Sequence, residues 1–145
     1  MSDTEKLIAI LEKNRLGLYH FTDERNLASI KASGILSMRA LRLSGRAPVT
    51  GGNQWSLDAD RYSGMDRYVH LCFFRSHPLE WRARQDGRIG TSKFLKVSPA
   101  VLRLPGVLIT DGVSNKASMT SSPVEAAIRG LGSGPISAGV ERLAA

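Results

Sequence analysis

Apolar residues recur at helix and strand spacings through the first part of the chain. In residues 2–16 they return every three to four positions, and Ser2 followed by Glu5 matches a capping box, so we expect a first helix here. An apolar strand over residues 18–21 follows. Residues 22–34 combine capping residues, helical spacing and a terminal glycine, which predicts a second helix directly after that strand.

Three further strands are expected downstream. Residues 68–74, which are rich in β-branched and aromatic side chains, give the strongest signal and are expected at the centre of the sheet. Residues 94–97 and 107–110 predict two more strands. Ser98 with Pro99 predicts a short helix between them.

Two segments are poor in apolar periodicity. Residues 44–64 are rich in Gly, Ser, Asp and Asn, which predicts a long functional loop. The tail, residues 113–145, holds many glycines and favours neither helix nor strand, although Pro123 could start a helix. We therefore expect one α+β domain over residues 1–145 with a loosely determined tail.

Length and composition place the chain among ordinary globular proteins. It has 145 residues, of which 42% are hydrophobic and 23% charged. Its apolar runs are far shorter than the ~20 residues of a membrane helix, and its N-terminus lacks the features of a signal peptide. A single cysteine, Cys72, excludes an internal disulfide and a cysteine-cluster metal site. We expect a cytoplasmic protein without a membrane partner.

The positive charge is concentrated in the middle of the chain. Formal net charge is +7, and between Arg39 and Arg103 there are 12 basic residues against five acidic ones, ten of the 12 being arginines. Arginine suits phosphate and stacks on bases, which favours a nucleotide or nucleic acid as partner. A solvated basic face is the alternative. Of the aromatic residues among these arginines, Trp55 and Tyr62 are expected near a base or a nicotinamide ring, and Tyr68 and Trp81 in the packing.

Signatures of nucleotide-binding P-loops, dinucleotide-binding folds, serine hydrolases and zinc proteases are absent, and the three histidines are too scattered for a zinc site, so no metal is expected. One constellation remains. His20 and Thr22 project to the same side of the first strand, and Asn26 lies on the first turn of the next helix. Such a group suits a ribose or phosphate. A structural histidine and two capping residues are the alternative.

Three segments of the chain resemble the DarT-type DNA ADP-ribosyltransferases. They are YHFTDERNLASIKASGILS from Tyr19, YVHLCFFRSHPLEW from Tyr68 and VLITDG from Val107. Their order and spacing are similar to the family's YHIT opening, its YVPFYF strand and its apolar strand ending in FTD. The resemblance covers residues 19–112.

The resemblance implies a compact ADP-ribosyltransferase scaffold of two small antiparallel-rich sheets with flanking helices. It implies an enzyme that cleaves NAD and transfers ADP-ribose to thymidine in single-stranded DNA, as a bacterial or phage toxin with an antitoxin partner. An RNA 2′-phosphotransferase of the same superfamily and a silent module that binds NAD or single strands are the alternatives.

The resemblance also implies roles for individual residues. His20, Thr22 and Asn26 would hold the nicotinamide end of NAD, together with Tyr62. Arg61 is expected to be the catalytic arginine of the 44–64 segment, with Arg46 and Arg67 as competitors. The nucleic-acid-binding residues would be Arg46, Trp55, Arg67 and Arg75.

The family's catalytic glutamate lies on a strand near its C-terminal end, and here the sequence departs from the pattern. Only Glu125 and Glu141 lie beyond Gly112. Glu125 follows Pro123 at a predicted helix start, where a carboxylate favours the helix dipole. One of these glutamates is the catalytic acid, or the chain has lost that acid and binds without turnover.

Overall fold

The computed structural model of the protein describes residues 2–50, 54–75, 78–110, 121–123, 125 and 137–140. No helix among these residues is long and apolar enough to span a bilayer. The α-helices are α1 (Asp3–Lys13), α2 (Leu27–Ser33), α3 (Met38–Leu43), α4 (Gln54–Ser63) and α5 (Pro78–Gln85). The strands are β1 (Leu18–Asp23), β2 (Val69–Cys72), β3 (Ser92–Val97), β4 (Leu108–Thr110), β5 (Ser121–Pro123) and β6 (Ser137–Val140). Short 3-10 turns cover Glu24–Asn26, Met65–Arg67 and Pro99–Arg103.

The first two helices confirm the spacing argument. The Ser2 hydroxyl accepts a hydrogen bond from the Glu5 backbone N–H at 3.1 Å, so α1 begins with the predicted cap. It ends earlier than expected, because Arg15 takes a left-handed conformation with φ of 55°. The turn Glu24–Asn26 and α2 form the second predicted helix, which ends at Gly34 with φ of 80°.

All four predicted strands are present and pair in antiparallel fashion, which confirms a mixed α+β chain. The strand order is β3-β1-β2-β6-β4-β5. β2, the strand expected at the centre, has a neighbour on each side. We expected two small sheets, whereas the described strands connect into one. The connection is narrow, because β1 and β2 share a single Cα pair, Tyr19 with Cys72.

The prediction for the tail was wrong at two places. β6 pairs with β2 on one side and β4 on the other, and β5 pairs with β4. Gly139 has low strand propensity, yet it lies between His70 and Leu108, where two neighbouring strands satisfy its backbone. Pro123 itself ends β5, and Glu125 is helical, which agrees with the helix start expected after Pro123.

The prediction of a loop over residues 44–64 was also wrong in part. Residues 46–50 have no regular structure, but α4 follows. Its sequence, QWSLDADRYS, is too polar to show a wide apolar stripe, so the hydrophobic pattern does not reveal the helix. A left-handed Gly64 with φ of 76° then leads into the Met65–Arg67 turn.

The core lies where α1 and the Pro99–Arg103 turn pack on the sheet. Arg103 donates to both carboxylate oxygens of Glu5, at 2.6 and 2.9 Å, and this fork links the turn to α1. The buried apolar cluster consists of Ile8, Leu11, Leu18, Val69, Leu71, Val101, Leu102, Val107 and Ile109. The cluster includes the first residue of β1 and two residues of β2, and so it holds in place the two strands that border the site described below.

Gly17 sets the approach of β1 to β3, and its replacement tests this packing. A Cβ at Gly17 would lie 2.6 Å from the Val97 carbonyl oxygen. We expect Gly17→Ala to lower the free energy of unfolding by about 1–3 kcal/mol, because a backbone oxygen must move. Gly90→Ala is the control, since its Cβ would meet nothing closer than 3.8 Å. Equal stability of the two variants in urea unfolding would contradict this account of the packing.

Candidate functional site

A cavity of about 450 Å³ lies where β1 and β2 part. Its volume is in the range of small-molecule sites. Residues from all three motif segments line it: His20 and Thr22 from the first, residues 68–72 from the second, and Leu108 with Thr110 from the third. The remaining wall comes from α2, α3, the 46–50 segment and α4.

His20 stands at the point where the two strands separate. Its Nδ1 lies 3.1 Å from the His70 carbonyl oxygen. A carbonyl oxygen only accepts, so Nδ1 carries the proton and donates it. Burial lowers the pKa of His20 below its usual 6.5, and the His70 ring acts in the same direction, against the effect of the hydrogen bond to the His70 carbonyl. The imidazole is therefore neutral at neutral pH, and Nε2 is left as an acceptor.

Cys72 belongs to the single Cα pair that joins β1 and β2. Its buried thiol donates to the Tyr19 carbonyl oxygen at 3.3 Å. Burial raises the pKa of Cys72 to about 11, so the thiol stays protonated. The prediction of a small buried residue at this position is confirmed.

Asn26 fixes one wall of the cavity. Its Nδ2 donates to the Thr22 hydroxyl at 3.0 Å and to the Val49 carbonyl oxygen at 2.7 Å. Its Oδ1 accepts from the Val49 N–H at 3.0 Å. Both amide protons are used within the protein, so Asn26 positions the 46–50 segment and has no N–H left to donate to a ligand.

Asp23 anchors the outer end of β1. Its buried carboxylate accepts from the backbone N–H and the side chain of Arg25 and from the Gly90 N–H. The Arg25 side-chain hydrogen bonds, followed by the backbone ones, hold the pKa of Asp23 well below its usual range. Arg25 is thereby fixed at the cavity, which it also lines.

Asp66 anchors α3 over the cavity. It is buried, with Oδ1 3.3 Å from an Arg39 guanidinium nitrogen and Oδ2 3.1 Å from one of Arg42. Two of the arginines in the basic region are thus partnered by a carboxylate. Because Asp66 is buried, removing one of its partners would destabilise the fold.

Asp60 is a residue that the sequence reasoning missed. It lies on α4 one turn after Leu57, and both line the cavity. Its Oδ1 is buried and has no hydrogen-bond partner among the residues that the structure describes. Burial raises the pKa of Asp60, and this effect exceeds the lowering by the nearby His70. The i, i+3 spacing of Leu57 and Asp60 would have pointed to it only once α4 was recognised as a helix.

The predicted arginine and tyrosine on α4 lie elsewhere. Arg61 is exposed, Tyr62 is 97% exposed, and neither belongs to the residues that line the cavity. Successive residues of a helix point about 100° apart, so a helix that turns Asp60 inward turns the next two residues away. Arg46, named as a competitor, is exposed and lines the cavity.

Arg67 and Arg75, two of the other predicted nucleic-acid contacts, are exposed. Arg67 stacks on Tyr68 at 5.0 Å and donates to its hydroxyl at 2.8 Å. Arg75 lies 5.3 Å from the centre of the Tyr19 ring. Neither arginine lines the cavity, and Trp55 lies in the first turn of α4.

The two aromatic residues assigned to the packing behave differently. Tyr68 is buried, as predicted. Trp81 is 54% exposed, so its assignment to the core was wrong. It lies on α5, a short helix with few apolar residues, which offers it little apolar surface to pack against.

Glu125, one of the two candidate glutamates, does not line the cavity. Glu125 Oε1 accepts from the Thr4 N–H at 3.0 Å, at the start of α1. Hydrogen bonds from Thr4, the side chain first, lower the pKa of Glu125. A carboxylate there satisfies an unpaired helix donor. Glu141 lies outside the described residues.

In comparisons with known proteins, no family model and no curated sequence matches this chain. The resemblance to ADP-ribosyltransferases therefore stays a prediction from the three motifs.

Removal of the Asn26 amide tests the wall of the cavity. We expect Asn26→Ala to destabilise the fold by about 1–3 kcal/mol, because the Val49 N–H and carbonyl lose their partners. Asn14→Ala is the matched control, since its amide is exposed. Urea unfolding measures both, and a cost at Asn26 no larger than at Asn14 would contradict the positioning role.

The lowered pKa of His20 predicts a pH dependence of stability. As pH falls below 6.5, the unfolded chain takes up a proton that the folded chain resists, so stability is lost with falling pH. We expect the unfolding free energy to drop more between about pH 7.5 and about pH 5.5 in the wild type than in His20→Asn, which cannot titrate there. Parallel pH profiles would show that burial of the imidazole has no such effect.

Proposed function

We propose that the chain is an NAD-dependent mono-ADP-ribosyltransferase that modifies thymidine in single-stranded DNA, on an ADP-ribosyltransferase-like scaffold. The observation that carries this proposal is the convergence of the three motif segments on one cavity. The segments lie up to 90 residues apart in sequence, and His20 of the first segment is hydrogen-bonded to the His70 carbonyl oxygen of the second. A shared role in holding one ligand explains why they meet.

The donors, acceptors and apolar walls of the cavity suit the nicotinamide end of NAD. His20 Nε2 can accept from a ribose hydroxyl or a carboxamide, and the Thr22 hydroxyl keeps its own proton as a donor. Ile35 and Leu71 give apolar surface for the ring. Arg25 and Arg46 add positive charge that suits a pyrophosphate.

The basic surface beside the cavity suits a single-stranded acceptor. Arg46 lies at the cavity, and Arg61 and Arg67 are exposed on α4 and the turn that follows it. Arginines spaced in this way can neutralise successive phosphates while a base enters the site. Such an activity fits a toxin that an antitoxin protein restrains.

A silent binding module is the second candidate, and the position of Glu125 favours it. That carboxylate is engaged at α1 and does not line the cavity. Without a carboxylate near the ribose, the same cavity would hold NAD and leave it intact.

The proposal is tested with purified protein, NAD and a thymidine-containing oligonucleotide. We expect nicotinamide release and a mass increase of one ADP-ribose on the oligonucleotide. His20→Ala should reduce transfer about 100-fold, because a binding acceptor is lost, and Arg46→Ala should weaken NAD binding. Arg82→Ala is the control, since this exposed arginine of α5 lies outside the cavity.

The outcomes separate the two candidates. Binding of NAD without release of nicotinamide would establish the silent module. Absence of both binding and release would overturn the proposal. Glu125→Gln should retain transfer and lower the midpoint of thermal unfolding, since it weakens the contact with α1.

A further inference from the structure

We propose that Asp60, and not a C-terminal glutamate, is the carboxylate that contacts the nicotinamide ribose during transfer of ADP-ribose. This inference rests on the proposed function and assigns a residue to the carboxylate role that the sequence analysis left open between Glu125, Glu141 and loss of the acid. It assigns to α4 the role that the family resemblance placed on a strand near the C-terminus.

Position is the first argument. Asp60 lies between the first and second motif segments in sequence, and it lines the same cavity as His20 and Thr22. It is carried by α4, with Leu57 one turn earlier, and so lies on a regular element instead of a loop. Glu125 does not line this cavity.

The state of its carboxylate is the second argument. The two other aspartates that line the cavity have charged partners: Asp23 has Arg25, and Asp66 has Arg39 and Arg42. Asp60 Oδ1 and Asp66 Oδ1 are both buried without a hydrogen-bond partner within the described part of the chain. Asp66 Oδ1 has the Arg39 guanidinium 3.3 Å away, whereas Asp60 forms no ion pair among the described residues. A buried unsatisfied oxygen destabilises the fold, so a ligand hydroxyl that donates to it would relieve a real cost.

The chemistry of transfer needs such a group. The bond between ribose C1′ and the nicotinamide nitrogen breaks, and its electron pair leaves with neutral nicotinamide. Positive charge then develops on the ribose, where a carboxylate stabilises it. The lone pair of a thymidine base nitrogen forms the new bond to C1′, and the proton of that nitrogen is released. The raised pKa of Asp60 makes its carboxylate a better acceptor for that proton.

The test is Asp60→Asn, which keeps the size of the side chain and removes its charge. We expect NAD affinity to change by less than about threefold and kcat for transfer to fall by about 100-fold or more. Thermal stability should stay equal or rise, because a buried unpaired charge is removed. Asp58→Asn is the matched control on α4, since Asp58 is exposed; its kcat should stay at the wild-type value.

Each other outcome overturns the inference. If wild-type protein transfers ADP-ribose and Asp60→Asn has wild-type kcat, Asp60 is not the acid, while the proposed function stands. If Asp60→Asn unfolds or loses stability, the carboxylate serves the fold. If wild-type protein neither binds nor consumes NAD, the proposed function fails, and the role of Asp60 in it fails with it.

Discussion

The separation of β1 from β2 after a single backbone pair is the constraint on which the site depends. Past Tyr19 and Cys72, the two strands no longer pair with each other, although each remains paired with its other neighbour. The imidazole of His20 bridges the gap, because its Nδ1 donates to the His70 carbonyl oxygen at 3.1 Å. A side chain thus replaces a strand contact, and a cavity opens inside the sheet.

The walls of that cavity are held by polar side chains more than by regular structure. Asn26 ties an irregular segment to β1, Asp23 ties the end of β1 to Gly90, and Asp66 ties α3 to the turn after α4. Each of these groups is engaged inside the protein, Asn26 and Asp23 by hydrogen bonds and Asp66 by ion pairs with two arginines. The polar atoms of the cavity best placed to bind a ligand are therefore His20 Nε2, the Thr22 hydroxyl and Asp60 Oδ1.

The sequence predicted the strands that have strong apolar patterns and the helix caps that have specific side chains. β1 and the capped start of α1 are examples, because their signals are local. It did not predict α4, whose residues are mostly polar, or β6, whose backbone is stabilised by two distant strands. The error over α4 also affected the site prediction. With the segment taken as a loop, Arg61 was the expected catalytic residue, whereas in the helix it is Asp60 that lines the cavity.

A crystal structure of the wild-type protein with NAD bound is the most direct test of the central claim. We expect the nicotinamide ribose between β1 and β2, within hydrogen-bond distance of His20 Nε2 and the Asp60 carboxylate. A dinucleotide bound at another surface, or an imidazole of His20 turned into the apolar core, would contradict the account.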